Sequence, residues 1–194
     1  MIGIEVDAKQ LKRLREAVGK ARKNLPRELA AAVNSVSKKT RISIGRRIRQ
    51  TINLKKADAE KPIKIKRTAT AETPVGVVSI DKQTRAGLQH FAARQNSRGV
   101  SYKIDKRGGR KLVTSAFMGP RPGVLAPKLH GGVFKRVGGD RNPIVKLYGV
   151  SPYGAYAKND MSKAEVEFIN KSLMTEMERR INLNILRANG LVKK

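Results

Sequence analysis

Two hydrophobic periods alternate along the chain, and the change of period marks its organisation. In the first stretch Leu11, Leu14, Val18, Ala21 and Leu25 recur at three- and four-residue steps, which places them on one face of a helix. Asp7 stands just ahead of them as a candidate N-cap. Pro26 has no N–H for a helix interior, so a break is expected there, with Pro26 opening a second helix. The stripe then resumes through Leu29, Val33, Val36, Thr40, Ile44, Ile48 and Ile52. A helix of about 26 residues spans roughly 39 Å. Arg41, Arg46, Arg47 and Arg49 fall largely off this stripe, so one side is apolar and the other strongly positive.

The central stretch follows the period of two that strands require. Ile63 and Ile65 alternate with Lys64 and Lys66, and Val75–Ile80 is a second strand candidate. Gly99–Ile104 and Lys111–Met118 flank Asp105–Arg110, which predicts a long hairpin with a basic, glycine-bearing tip. Gly119–Gly123 opens an irregular loop that runs to Gly131-Gly132. Val133–Val137 and Ile144–Tyr148, joined through Gly138-Gly139-Asp140, read as another strand pair that ends at Ser151-Pro152. From about Ser162 the helical period returns, with Val166, Ile169, Leu173, Met177, Ile181 and Ile185 on one stripe and Asn189-Gly190 as a stop signal. The expected fold class is α+β. Two N-terminal helices precede a mostly antiparallel sheet with a long basic hairpin and loop, and a long C-terminal helix follows. Residues 1–194 are read as a single domain with a helical segment 1–60, a β-rich basic segment 61–150 and a helical segment 151–194.

Charge changes this picture most. The chain of 194 residues carries 43 Lys and Arg against 15 Asp and Glu, a net of +28. Residues 61–148 hold 19 basic and 4 acidic groups, whereas 149–194 hold 8 and 5. No block of like charges stands apart, so the positive charge belongs to a foldable body. Cysteine is absent, which excludes disulfides, thiol catalysis and thiolate metal sites. With only His90 and His130, no metal site or cofactor is expected. The longest uncharged run, Leu147–Ala157, is too short to span a bilayer, and the first residues lack a signal-peptide layout. The expectation is a protein assembled in the cytoplasm without membrane contact.

Catalysis finds no support in the sequence. Glu165/Glu167 and Glu176/Glu178 stand two apart on the predicted last helix, so the members of each pair point in different directions. They are expected to be solvated charges. No GxSxG, HExxH or GxxxxGK[ST] pattern occurs. His90 is expected to be a packed or surface residue. No catalytic, cofactor-binding or metal-binding residue is therefore assigned, and the chain is read as a non-enzyme. The basic groups suit a polyanion instead. Arg46, Arg47 and Arg49 on the helix, with Lys106, Arg107, Arg110 and Lys111 at the hairpin tip, are the candidates for contact with DNA or an acidic partner. The four Tyr and four Phe form no interleaved stacking platform, which argues against sequence-selective reading of single strands.

One stretch carries a resemblance. The run Phe91-Ala92-Ala93-Arg94-Gln95 is followed by Arg98-Gly99-Val100-Ser101, Gly108-Gly109-Arg110-Lys111 and Ala116-Phe117-Met118. Then come Gly132-Val133-Phe134-Lys135-Arg136 and Pro143-Ile144-Val145-Lys146-Leu147-Tyr148-Gly149-Val150-Ser151-Pro152. In this order, across residues 88–152, they resemble the minor tail protein Z family of tailed phages and prophages. Gly119–Lys128, with its three prolines, departs from the family pattern. The resemblance implies a virion structural protein that completes the tail at its head-proximal end, in the neck, and takes part in head–tail joining and in passage or seating of the DNA end. It implies an α+β subunit in a homo-oligomeric ring, expected to be a hexamer. The implied partners are the tail terminator or tail tube protein, head–tail connector or adaptor proteins, and genomic DNA in the lumen. On this reading Phe91, Arg94, Gln95, Phe117, Phe134, Pro143, Leu147 and Tyr148 are motif residues that pack and shape the sheet. Hairpin and loop edges would pair with neighbouring subunits while the basic groups hold phosphates or carboxylates. The alternative from composition alone is a ribosomal-type or chromosomal nucleic-acid-binding protein.

Overall fold

In the computed structural model the first element is one helix, α1 (Ala8–Thr51), which runs 44 residues with Pro26 inside it. The expected break at Pro26 does not occur. A proline forfeits one backbone bond and costs about 3 kcal/mol within a helix, but the turns beyond it are held by burial of Ala30, Ala32 and Val36. Farther along, Val36, Thr40, Ile44 and Ile48 are buried as the stripe predicted, and Leu29 and Val33 are half-buried. The structure describes residues 8–120, 129, 131–140, 142–158, 161–188 and 191; the side chains of residues 8–18, 20, 21, 161 and 188 fall outside this description. The Asp7 cap, the early leucine stripe, most of the proline-rich loop and the Asn189-Gly190 stop therefore lie outside the described residues.

After α1 come α2 (Lys56–Glu60), β1 (Ile63–Arg67) and β2 (Val77–Ile80), the last two paired with each other. A 3-10 turn at Leu88–His90 leads to β3 (Arg94–Asn96), β4 (Gly99–Tyr102) and β5 (Lys111–Thr114), which form an antiparallel sheet in the order β3-β4-β5. The strands β6 (Ala116–Met118), β7 (Val133–Arg136) and β8 (Ile144–Lys146) form a second antiparallel sheet in the order β6-β7-β8. The helices α3 (Pro152–Lys158) and α4 (Met161–Ala188) follow. The fold is thus α+β with antiparallel sheets between a long first and a long last helix. Contacts gather the chain into two compact units, each discontinuous in sequence. The first comprises 1–40, 65–78 and 164–194, and the second 41–64 and 79–163.

In the first unit, Asn34 fastens α1 to the segment after β1. Its side-chain amide donates to Ala69 O at 2.9 Å and accepts from Ala69 N at 2.8 Å. Gly76 lies so close to the helix that a Cβ there would stand 2.6 Å from Ser37 Oγ. The helix α4 corrects an expectation. Glu165 and Glu176 are buried at 3% and 5% exposure, while Val166 and Ile185, placed on the apolar stripe, are exposed. Glu167 and Glu178 remain on the surface. Eleven residues apart on a helix is within about 20° of the same face, so Glu165 and Glu176 share one line. Glu176 stays charged there because three cations reach it. Arg179 Nη2 donates to Oε1 at 2.6 Å, Arg180 Nε to Oε1 at 3.1 Å and Lys39 Nζ to Oε2 at 3.1 Å. Arg180 Nη1 also donates to Glu28 Oε2 at 3.2 Å, which extends the network along α1.

In the second unit the core collects Ile48, Ile63, Phe91, Val100 and Val133, all essentially inaccessible. Phe91 packs against the backbone at Gly149, where a Cβ would lie 2.2 Å from the ring. The expected long hairpin is present as β4 and β5, with Ser101 opposite Leu112 and Tyr102 opposite Lys111. Its second strand does not continue to Met118. Ser115 adopts a positive φ of 58°, and its N–H donates to Arg98 O, so β6 leaves for the other sheet. Gly99, at φ 147°, lies so close to Val113 O that a Cβ would stand 2.1 Å from it. The pair β7–β8 matches the second predicted hairpin, and Phe117 stacks on Phe134 with centroids 6.0 Å apart. Gly119 and Gly131 close the neck of the proline-rich loop through bonds to Gly132 O and Pro120 O. Helix α3 begins where the β section was expected to end. Ser151 Oγ accepts from Gly154 N at 3.0 Å, an N-cap with Pro152 at the first helical position.

Candidate functional site

The C-terminal end of α1 leaves carbonyls without helical partners, and the basic hairpin supplies a donor to one of them, Thr51 O. Lys106 N donates to Thr51 O at 3.0 Å, Asn53 N donates to Ile104 O at 2.7 Å, and Ile52 bridges to Asp105. The turn between β4 and β5 is thereby seated on the helix end, and Gly108 N closes it by donating to Asp105 O. Two groups of candidate residues that are far apart in sequence now belong to one part of the second unit. Lys106 and Arg107 lie on the tip, and Arg46, Arg47 and Arg49 lie within the last two turns of the helix that carries it. Arg46, Lys106, Arg107 and Lys111 are exposed, whereas Arg47 and Arg49 are half-buried. A cation in the last turn of a helix is also favoured by the helix dipole, which describes Arg49.

Arg110 has a different task. Its Nη2 donates to Ala92 O at 2.7 Å, Ser101 O at 3.0 Å and Ser101 Oγ at 3.1 Å. Ala92 presents its carbonyl from a left-handed backbone, φ 50°. The guanidinium thus clamps the start of β3 to β4 from the hairpin, and its charge adds to the basic surface from a fixed position.

The motif residues divide in the same way. Phe91 and Phe134 are buried, and Phe117 and Leu147 are half-buried. Gln95 joins the two sheets: its Nε2 donates to Gly99 O at 3.2 Å and its Oε1 accepts from Met118 N at 2.8 Å. Arg94, Pro143 and Tyr148 are exposed, so the packing role expected of them is not what the structure gives. Arg94 stands on an edge strand, Pro143 O accepts from Val137 N, and the Tyr148 ring has Lys146 Nζ at 5.8 Å from its centre. Gln95 is a motif residue by its sequence, but its span between sheets has no local signal.

Electrostatically the second unit is extreme. It holds 25 Lys and Arg against 6 Asp and Glu, a net of +19 out of the chain's +28. Two of its carboxylates are engaged locally. Asp58 Oδ2 lies 2.8 Å from His90 Nδ1, which ties α2 to the 3-10 turn and leaves His90 half-exposed. Asp81 accepts from the Thr84 hydroxyl at 2.6 Å and from Gln83 N, and the Thr84 bond is the main cause holding its carboxyl below the ordinary range. Most cations therefore have no carboxylate within the unit to balance them. Among the described residues no group of three His, Asp or Glu could hold a metal ion, and no helix is long and apolar enough to cross a membrane. The arrangement can hold a phosphate or carboxylate surface by non-covalent contact. No protein-family model matches the chain, and no curated protein or solved structure is significantly similar to it.

Proposed function

We propose that this chain is a structural, non-enzymatic subunit of a phage or prophage neck. It completes the tail at its head-proximal end as part of a ring, expected to have six copies. The observation that carries this reading is the ordered run of motif pieces from Phe91 to Pro152, which resembles the minor tail protein Z family. Two structural facts support it. All of those pieces belong to the second unit, and that unit also carries most of the positive charge. A ring of such subunits repels itself and needs polyanions beside it: DNA in the lumen and acidic faces of adjoining neck proteins. The basic tip on the end of α1, with Arg46, Lys106, Arg107 and Lys111 outward, is the part of the subunit assigned to that contact. The test is electron microscopy of particles assembled without the protein. Tails that fail to join filled heads are expected, and normal infectious particles would refute the proposal. Size-exclusion chromatography with duplex DNA and with RNA separates this reading from a chromosomal or ribosomal role, which calls for a monomer that binds RNA tightly at physiological salt.

A further inference from the structure

A groove opens in the second unit beside the β3-β4-β5 sheet, made of two adjoining cavities that share Ile104 and Val150. The larger, about 460 Å³, is walled by Leu88, Val113, Leu147 and Tyr148, with Arg85 among its lining residues. The smaller, about 320 Å³, is lined by Thr51, Asp105, Lys111 and Lys158, with Gly109 and Ala155. Tyr148 and Val150 present apolar surface to solvent, at 54% and 41% exposure. The strand β5 is an edge strand, paired only with β4 in its sheet. Lys111 and Val113, two residues apart on β5, point to the same side, and one lines each cavity.

These features define an occupant. An edge strand leaves every second N–H and C=O without a ladder partner, and an extended peptide laid along it completes the ladder. Side chains at alternate positions of such a peptide fall on one face, about 6.6 Å apart, which is the repeat that separates Lys111 from Val113. The larger cavity favours an apolar side chain, because burial there removes both surfaces from water. The smaller holds Lys111 and Lys158 against one carboxylate, Asp105, and Arg85 adds a further cation to the larger cavity. The excess of positive charge selects a carboxylate. A second copy of this unit, at +19, is a poor source for that segment, and a nucleic-acid backbone has no apolar side chain for the larger cavity.

We propose that this groove docks an extended segment of an acidic partner protein, which adds to β5 with an apolar side chain in the larger cavity and a carboxylate, two residues along, against Lys111 and Lys158. The inference deepens the proposed contact with acidic neck neighbours and rests on that reading only for the partner's identity. The probe is a labelled nine-residue peptide of alternating Ser and Ile with one Glu two positions from the central Ile, titrated at physiological salt by fluorescence anisotropy. Replacing the Glu by Lys, or the central Ile by Ala, is expected to weaken binding at least about ten-fold, and N-methylation of alternate amides to abolish it. Lys111→Glu is expected to lose the acidic peptide and gain the Lys-substituted one. Val150→Asp is expected to lose both, with circular dichroism and thermal midpoint as controls of folding. No binding, or binding indifferent to the Ile or to N-methylation, overturns the proposal. Displacement of the peptide by equimolar duplex DNA assigns the groove to nucleic acid and overturns it as well. None of these readouts reports ring formation or head–tail joining, so the groove and the neck reading can fail separately.

Discussion

Glu176→Gln removes one negative charge from the first unit and keeps the shape of the side chain. In the native protein three cations converge on this buried carboxylate. The bond from Arg179 is the largest cause that brings its pKa down to about 2, burial opposes it, and Lys39 adds to the lowering. Taken at full value, that displacement corresponds to roughly 3 kcal/mol in favour of the charged folded state. The side chains of Lys39 and Arg179 are half-exposed, at 50% and 53%, so water screens much of their attraction. A contribution of about 1–2 kcal/mol is therefore expected. The sign follows from proton binding. The unfolded chain holds the Glu176 proton more tightly than the folded one, so stability gained from this group is fully present above about pH 5. It is lost as pH falls through the ordinary glutamate range towards 2. Urea unfolding of wild type and variant, followed by circular dichroism across this range at constant salt, measures the difference directly. The gap should be about 1–2 kcal/mol at neutral pH and should close as pH drops. Glu178→Gln, an exposed neighbour on the same helix, should show no such convergence. A gap that stays constant with pH, or is absent at neutral pH, would refute the charge-network account of α4.

Two further outcomes separate the roles of residues at the basic tip and between the sheets. Duplex DNA binding measured against salt should lose about one unit of log–log slope for each of Lys106→Glu and Arg107→Glu, with the thermal midpoint unchanged, whereas Arg110→Ala should lower the midpoint because three acceptors lose their donor; an equal effect of all three on the slope alone would contradict the clamp. Gln95→Ala removes the bonds to Met118 N and the Gly99 carbonyl, and a loss of about 1–2 kcal/mol is expected; thermal unfolding indistinguishable from wild type would show that the amide does not join the sheets.

Features with a local cause are legible in the order of residues alone. The helical stripe from Val36 to Ile52, the hairpins β4–β5 and β7–β8 and the α+β order follow from periods of 3.6 and 2 and from glycine-bearing turns, which any window of the chain displays. The excess of charge is legible for the same reason. The expectations that failed depended on partners distant in sequence. Pro26 stays inside a helix because the residues after it are buried, and no local pattern says what buries them. Ser115 splits a strand by one backbone angle, which leaves the alternation around it intact. Glu176 reads as a surface charge until Lys39, 137 residues away, is placed beside it. Lys106 and Arg46 are separate basic clusters until Thr51 O takes the Lys106 N–H and joins hairpin to helix. Hydrophobic period encodes which side of an element is apolar. Which polar atom meets which is settled only when tertiary packing removes water and obliges each buried donor and acceptor to find its counterpart.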